Sequence, residues 1–289
     1  MAPKNRHLIG ILFLICGLSS DPGPLVAQEG PSSAPRAILL RPSRVFDGQT
    51  AQLHDGWAVL VEGDRIFAVG PESAMNPPLG AEVVELPGLT LLPGLIEGHA
   101  HLLLHPYDET PWTDQVLLES LGERTARGVV HAERSLMAGI TTLRDLGTEG
   151  AGFADIGLKA AIEKGVIPGP RLIVTGKAIV ATGSYNPKGA PEWDFPKGAE
   201  EADGYDDLVR VTRDQIGRGA DWVKIYADYR WGADGTAQPT FTEAELQTVV
   251  QVAESSGRWV VAHATTPEAI RRSVEAGIKT IEHGDGGDR

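Results

Sequence analysis

The 289-residue sequence holds a single cysteine, Cys16, and it lies in an N-terminal apolar stretch. A processed chain would therefore hold none, which excludes disulfides, thiolate metal sites and a cysteine nucleophile. Basic charge is also scarce, with 26 Lys and Arg against 39 Asp and Glu and a net charge of −13. Nucleic acid and anionic membrane surfaces would repel such a chain, so neither is an expected partner. Long apolar runs are missing too. Leu8–Leu18 (LIGILFLICGL) has 11 residues, well short of the roughly 20 that span a bilayer.

What is present at that end reads as a secretory signal. Lys4, Arg6 and His7 form a basic start, Leu8–Leu18 an apolar middle, and Leu25-Val26-Ala27 a cleavage site before Gln28. Ile15 stands where a lipoprotein signal wants a small residue, which argues against lipidation of Cys16. Residues 1–27 are thus expected to be a signal peptide, residues 28–36 a polar linker, and the protein secreted or periplasmic with no stable membrane partner after cleavage.

The remainder divides by texture. Residues 37–86 carry short β-prone runs separated by Asp47-Gly48, Asp55-Gly56 and Gly63-Asp64. They predict a small β-sandwich subdomain, with a tight hairpin at Val61–Ile66. From residue 87 onward strands alternate with helices, which means parallel βα units. Strands are expected at Leu91–His101, Ile140–Leu146, Arg171–Ile179, Trp222–Ala227, Trp259–Ala264 and Thr280–His283. Helices are expected over Trp112–Met137, Phe153–Lys164, Tyr205–Arg218 and Glu243–Ser255, and from Pro267 to Gly277. Thr242 with Glu245 forms a capping box, and Thr266 caps before Pro267. Val180–Asp203 reads as a long loop.

The chemistry-bearing residues gather at strand ends. His99 and His101 alternate on one strand face, about 7 Å apart, and two neutral imidazoles can chelate a divalent ion. Lys224 lies in Trp222-Val223-Lys224-Ile225-Tyr226, where a parallel strand is buried on both faces. A buried ammonium needs a carboxylate partner, a depressed pKa or conversion to a carbamate, unless its head reaches water at the strand end. His263 and His283 each close a later strand. In a parallel barrel all C-terminal strand ends open on one face, so these groups would meet. Asp228 and Tyr229 are candidates for substrate contact. Arg144-Asp145 reads as structural, His54 and His131 as surface residues, and Glu282 as facing away from His283. Neither Gly183 nor Gly189 has phosphate-cradle spacing.

Leu92-Pro93-Gly94-Leu95-Ile96-Glu97-Gly98-His99-Ala100-His101 resembles the first-strand signature of the amidohydrolase superfamily. Gly139–Asp145, Val223-Lys224-Ile225, Ala262-His263-Ala264 and Ile281-Glu282-His283-Gly284 resemble its imidazolonepropionase-like and prolidase-like branch. The resemblance covers Ala37 to the end. It implies an α/β fold, a distorted TIM-like (β/α)8 barrel beside a β-sandwich, of which residues 87–289 supply strands one to six. It implies two Zn2+ ions bridged by a carboxylated Lys224, with His99 and His101 on one ion and His263 and His283 on the other. It also implies a bridging hydroxide that attacks a carbonyl, with Lys224, His263 and His283 as catalytic residues.

Two departures accompany the resemblance. The family's aspartate at the end of strand eight has no counterpart before Arg289, since Asp285 and Asp288 follow strand six; the chain therefore reads as a C-terminally truncated barrel. A histidine common after strand three is missing from Val180–Asn186. The expected activity is hydrolysis of amide-like C–N bonds in dipeptides such as Xaa-Pro, or in N-acyl amino acids. A lactone or phosphotriester hydrolase is the neighbouring alternative. A catalytically incompetent fragment or binding protein is the alternative of another class, and a mononuclear deaminase ranks lowest because of Lys224. A homo-oligomer is compatible with all of these.

Overall fold

The computed structural model describes residues 36–187 and 194–287. The expected signal peptide, almost all of the linker, and Gly189 and Asp288 lie outside the described residues. The chain forms two compact units that divide between Leu92 and Pro93.

The first unit is a five-stranded sheet. Strands β1 (Ala37–Phe46), β2 (Leu53–Asp55), β3 (Trp57–Glu62) and β4 (Arg65–Pro71) follow the order β2-β1-β3-β4, and β5 (Glu82–Leu91) pairs in parallel with β1. Gly63-Asp64 makes the expected hairpin, with Glu62 opposite Arg65 and Gly63 at φ +60°. Leu39, Ala58 and Leu60 form its small core. β5 runs on to Leu91 because its register with β1 continues past a bulge as far as Val45 opposite Leu91. The expected single run Leu91–His101 is therefore two strands, interrupted around Pro93, which has no N–H to give a ladder.

The second unit carries the βα alternation. Its elements are β6 (Leu95–Ala100), α1 (Trp112–Leu117), α2 (Leu121–Met137), β7 (Ile140–Asp145), α3 (Ala154–Glu163), β8 (Arg171–Val174), β9 (Ile179–Val180) and β10 (Glu200–Glu201). Then follow α4 (Gly204–Arg218), β11 (Trp222–Tyr226), β12 (Asp228–Tyr229), β13 (Gln238–Pro239), α5 (Glu243–Glu254), β14 (Trp259–Ala264), α6 (Pro267–Glu275) and β15 (Thr280–His283). One parallel sheet runs β6-β7-β8 and another β10-β9-β11-β14-β15. The six expected barrel strands are β6, β7, β8, β11, β14 and β15, an α/β partial barrel.

Two expectations change in detail. Trp112–Met137 is two helices, because Ser120 turns extended and its hydroxyl accepts from Glu123 N at 3.1 Å as the cap of α2. Gly128 does not disturb α2; a Cβ there would come within 2.8 Å of Leu158 on α3, so glycine permits the close helix approach. Val180–Asp203 is not wholly loop, since β9 and β10 pair across it.

The core follows from strand alternation. Val223 and Ile225 of β11, and Val260, Ala262 and Ala264 of β14, face outward onto Leu208 and Val211 of α4 and Leu246 and Val249 of α5. Burying each such Leu or Val stabilises the fold by about 1.5–3 kcal/mol. The capping box at Thr242–Glu245 and the Thr266 cap form as expected. The opposite set, Trp222, Lys224 and Tyr226, is left to face the strand interior, and this is where the polar residues collect.

Candidate metal centre

Register fixes the layers of this interior. Tyr226 lies opposite His263, which lies opposite Glu282; Lys224 lies opposite Val261, which lies opposite Thr280. Lys224 is thus one layer deeper than the His263 imidazole, not at the strand end. It is only 1% exposed, and its Nζ has no hydrogen-bond partner among the described residues. Burial pushes its pKa down to about 8, against the pull of Glu282 and Glu149.

The four expected histidines come together. Ring centroids stand 5.3 Å apart for His99 and His101, 5.1 Å for His99 and His283, and 4.6 Å for His263 and His283. His263 stacks on Tyr226 at 4.7 Å. Burial holds His101 below its ordinary pKa. Burial, then His283 and Lys224, push His263 down to about 4. Burial, then His99 and Lys224, lower His283. Neutral imidazoles are the form that donates a lone pair to a metal ion.

His283 reaches this group by an unexpected route. In register it pairs with Ala264, which faces the helices. Its φ of +70° reverses the direction of its side chain. That conformation costs a non-glycine residue on the order of 1–3 kcal/mol and tends to mark functional sites. Glu282, expected to face outward, instead faces inward with His263.

Among the described residues, the other non-glycine residue at positive φ is Glu149, at +50°. Sequence reasoning missed it; the signal was an acid set between Gly147 and Gly150 just after a strand end. Its carboxylate accepts from Trp112 Nε1 at 2.9 Å, Tyr185 OH at 2.5 Å and Tyr226 OH at 3.2 Å, and lies 3.9 Å from His101 Nδ1. His101 Nδ1 is also 2.8 Å from Gly147 O. A carbonyl only accepts, so Nδ1 carries the proton and Nε2 the lone pair. Buried Arg124 holds this loop through Leu103 O, Glu149 O and Thr148 O at 3.0, 2.7 and 3.1 Å. Arg124→Met should cost about 3–5 kcal/mol by leaving those carbonyls unpaired, read as a lower urea midpoint at unchanged slope.

The remaining candidates sort plainly. Asp228 is fully buried and accepts from Thr265 N at 2.8 Å and Thr266 N at 2.6 Å, fixing the start of α6; it also lies 3.4 Å from His263 Nε2. It orients the loop and the imidazole rather than facing substrate. Tyr229 packs on Tyr185 and lies 6.1 Å from the His263 ring. Arg144 and Asp145 do not pair with each other: Arg144 bonds Glu282, and Asp145 accepts from Leu102 N and Gly147 N. His54 and His131 are part-buried, stacked on Trp57 and 2.8 Å from Leu102 O respectively. A cavity of about 370 Å³ borders His99 and His101, with Leu104, Pro106, His131 and Arg134 in its wall.

Among the described residues no three His, Cys, Asp or Glu side chains are arranged to hold one ion. What the site offers instead is two pairs of imidazoles and a buried amine with no hydrogen-bond partner. That donor set fits divalent ions only if Lys224 supplies further ligand atoms, as a carbamate would.

The amidohydrolase family model matches residues 90–289. The fold is similar to a crystal structure of an amidohydrolase, 31% identical with a TM-score of 0.75, covering 87% of this chain and 62% of that one. It is equally similar to a Xaa-Pro dipeptidase with bound methionine, 26% identical, TM-score 0.75, with the same coverage. Ochratoxinase of Aspergillus niger is 30% identical over 215 residues, 67% of this chain and 43% of its own. The chain spans about half the length of the curated relatives it matches. With its strand order, its HxH strand and its buried strand lysine, the chain belongs to the amidohydrolase family, in its prolidase-like branch.

Proposed function

We propose that this chain carries the metal centre of a hydrolase acting on amide-like C–N bonds, with Xaa-Pro dipeptides or N-acyl amino acids as substrates. The observation that supports it most is the clustering of His99, His101, His263 and His283 above the buried Lys224, whose amine has no hydrogen-bond partner among the described residues. His99 and His101 would hold one Zn2+ and His263 and His283 a second. Bound there, the ions would supply a Lewis acid that polarises a carbonyl and acidifies water.

The chain's own residues prepare this. A lysine brought to about pKa 8 has a neutral fraction near neutral pH. Its lone pair adds to CO2, its N–H proton leaves to water, and an anionic carbamate replaces the orphaned amine. Burial favours the unprotonated form of His101, His263 and His283. The cavity beside His99 and His101 has room for a small molecule, and Tyr226 and Tyr229 present rings beside His263, with Tyr185 packed on both tyrosines. The relatives' names agree: one solved relative is a prolidase complexed with N-methylphosphonate-L-proline.

The test is a panel of Xaa-Pro dipeptides, N-acyl amino acids, a lactone and a phosphotriester, with zinc and bicarbonate present. The expected result is release of the amine product, lost on chelation. Turnover of the lactone or phosphotriester alone would move the substrate class, and chelator-insensitive turnover would remove the metal from the mechanism. Export is proposed as well, on the residues before Gln28; N-terminal sequencing of exported protein should begin at Gln28.

A further inference from the structure

Glu282 lies beside the imidazoles and has no part in the proposed ligand set. Its side chain is 11% exposed and faces inward on β15, in register with His263. Its Oε1 accepts from Arg144 Nη2 at 2.7 Å and from Thr280 Oγ1 at 3.0 Å. Its Oε2 lies 3.1 Å from His99 Nδ1. Arg144 is fixed in turn: Nε donates to Gly98 O at 2.7 Å, Nη1 to Thr280 Oγ1 at 3.2 Å, and the guanidinium lies over the Trp222 ring at 4.8 Å. One carboxylate oxygen is therefore committed to Arg144, and the other is turned to His99.

We infer that the Arg144–Glu282 pair is a positioning device that holds His99 as its Nδ1–H tautomer, leaving the lone pair on Nε2. A carboxylate can only accept, so a ring nitrogen 3.1 Å from it carries the proton. His101 reaches the same tautomer through the Gly147 carbonyl. Both imidazoles of the HxH strand then present Nε2, one set by backbone and one by a partner on the sixth barrel strand. A largely buried ion pair is weak evidence for stability, and fixing a ligand's orientation is a known use of such carboxylates. The purpose of the pair rests on the proposed metal centre; its geometry does not.

The test reads the His99 tautomer by long-range 1H–15N NMR on the full, metal-free chain. Wild type should show Nδ1–H. Glu282→Gln keeps the shape, but Arg144 draws the amide oxygen and turns the NH2 toward His99. Nδ1 must then accept, and the proton moves to Nε2. Adding Arg144→Met frees the amide to rotate, and the Nδ1–H form should return. Glu282→Gln alone should also weaken zinc binding at least tenfold in chelator competition. An Nε2–H wild type, or a spectrum unchanged in Glu282→Gln, overturns the inference; the wild-type spectrum suffices if the variant does not fold. Tautomers that switch as stated in a chain that binds no zinc would support the pair and sink the metal centre.

Discussion

Replacing Lys224 with methionine is expected to stabilise the metal-free chain while ending its retention of zinc. The amine is 1% exposed and has no hydrogen-bond partner among the described residues, so its charged form is opposed by desolvation. Its pKa falls from 10.5 in the unfolded chain to about 8. At 1.36 kcal/mol per unit this is a penalty on the order of 3–4 kcal/mol. The sign follows from proton counting. Between about pH 8 and 10.5 the unfolded chain binds more protons than the folded one, so stability rises with pH there. The penalty is fully present below about pH 8 and fades toward pH 10.5. Urea unfolding in chelator should therefore show Lys224→Met more stable at pH 7, with the gain shrinking above pH 8. A gain that grows with pH would mean that the ammonium is not the cause. A site that destabilises its own fold is the usual sign of a group kept for function.

The second large effect is stabilisation by zinc. Metal that binds only the folded chain should raise its unfolding free energy by about 4 kcal/mol at a thousandfold excess over Kd. Bicarbonate should be required with zinc, because without the carbamate the two imidazole pairs lack further ligand atoms. His101→Ala and His263→Ala should each remove most of the stabilisation, since each breaks a different pair. Calorimetry with zinc alone, with bicarbonate alone and with both would separate these. Equal stabilisation of wild type and Lys224→Met by the two together would remove Lys224 from the site.

Much of this was legible in the sequence, for identifiable reasons. Strands and helices of the second unit announced themselves through β-branched runs, caps and the glycines that end helices, as at Thr242–Glu245 and Gly277. The site histidines could be read because strand ends in a parallel barrel share one face. What escaped depended on single backbone torsions. Strict alternation put Glu282 outside and His283 inside, and the left-handed turn at His283 brings both in. Glu149 escaped for the same reason: its side chain enters the interior from a loop at φ +50°, where no periodicity applies. The depth of Lys224 escaped as well, because layer position depends on register across three strands.

The most direct measurement is anomalous diffraction at the zinc edge from crystals grown with zinc and bicarbonate. The expected result is zinc about 2.0–2.1 Å from nitrogens of His99 and His101 and of His263 and His283, with added density on Lys224 Nζ. A bare Lys224 amine with zinc lying elsewhere would contradict it.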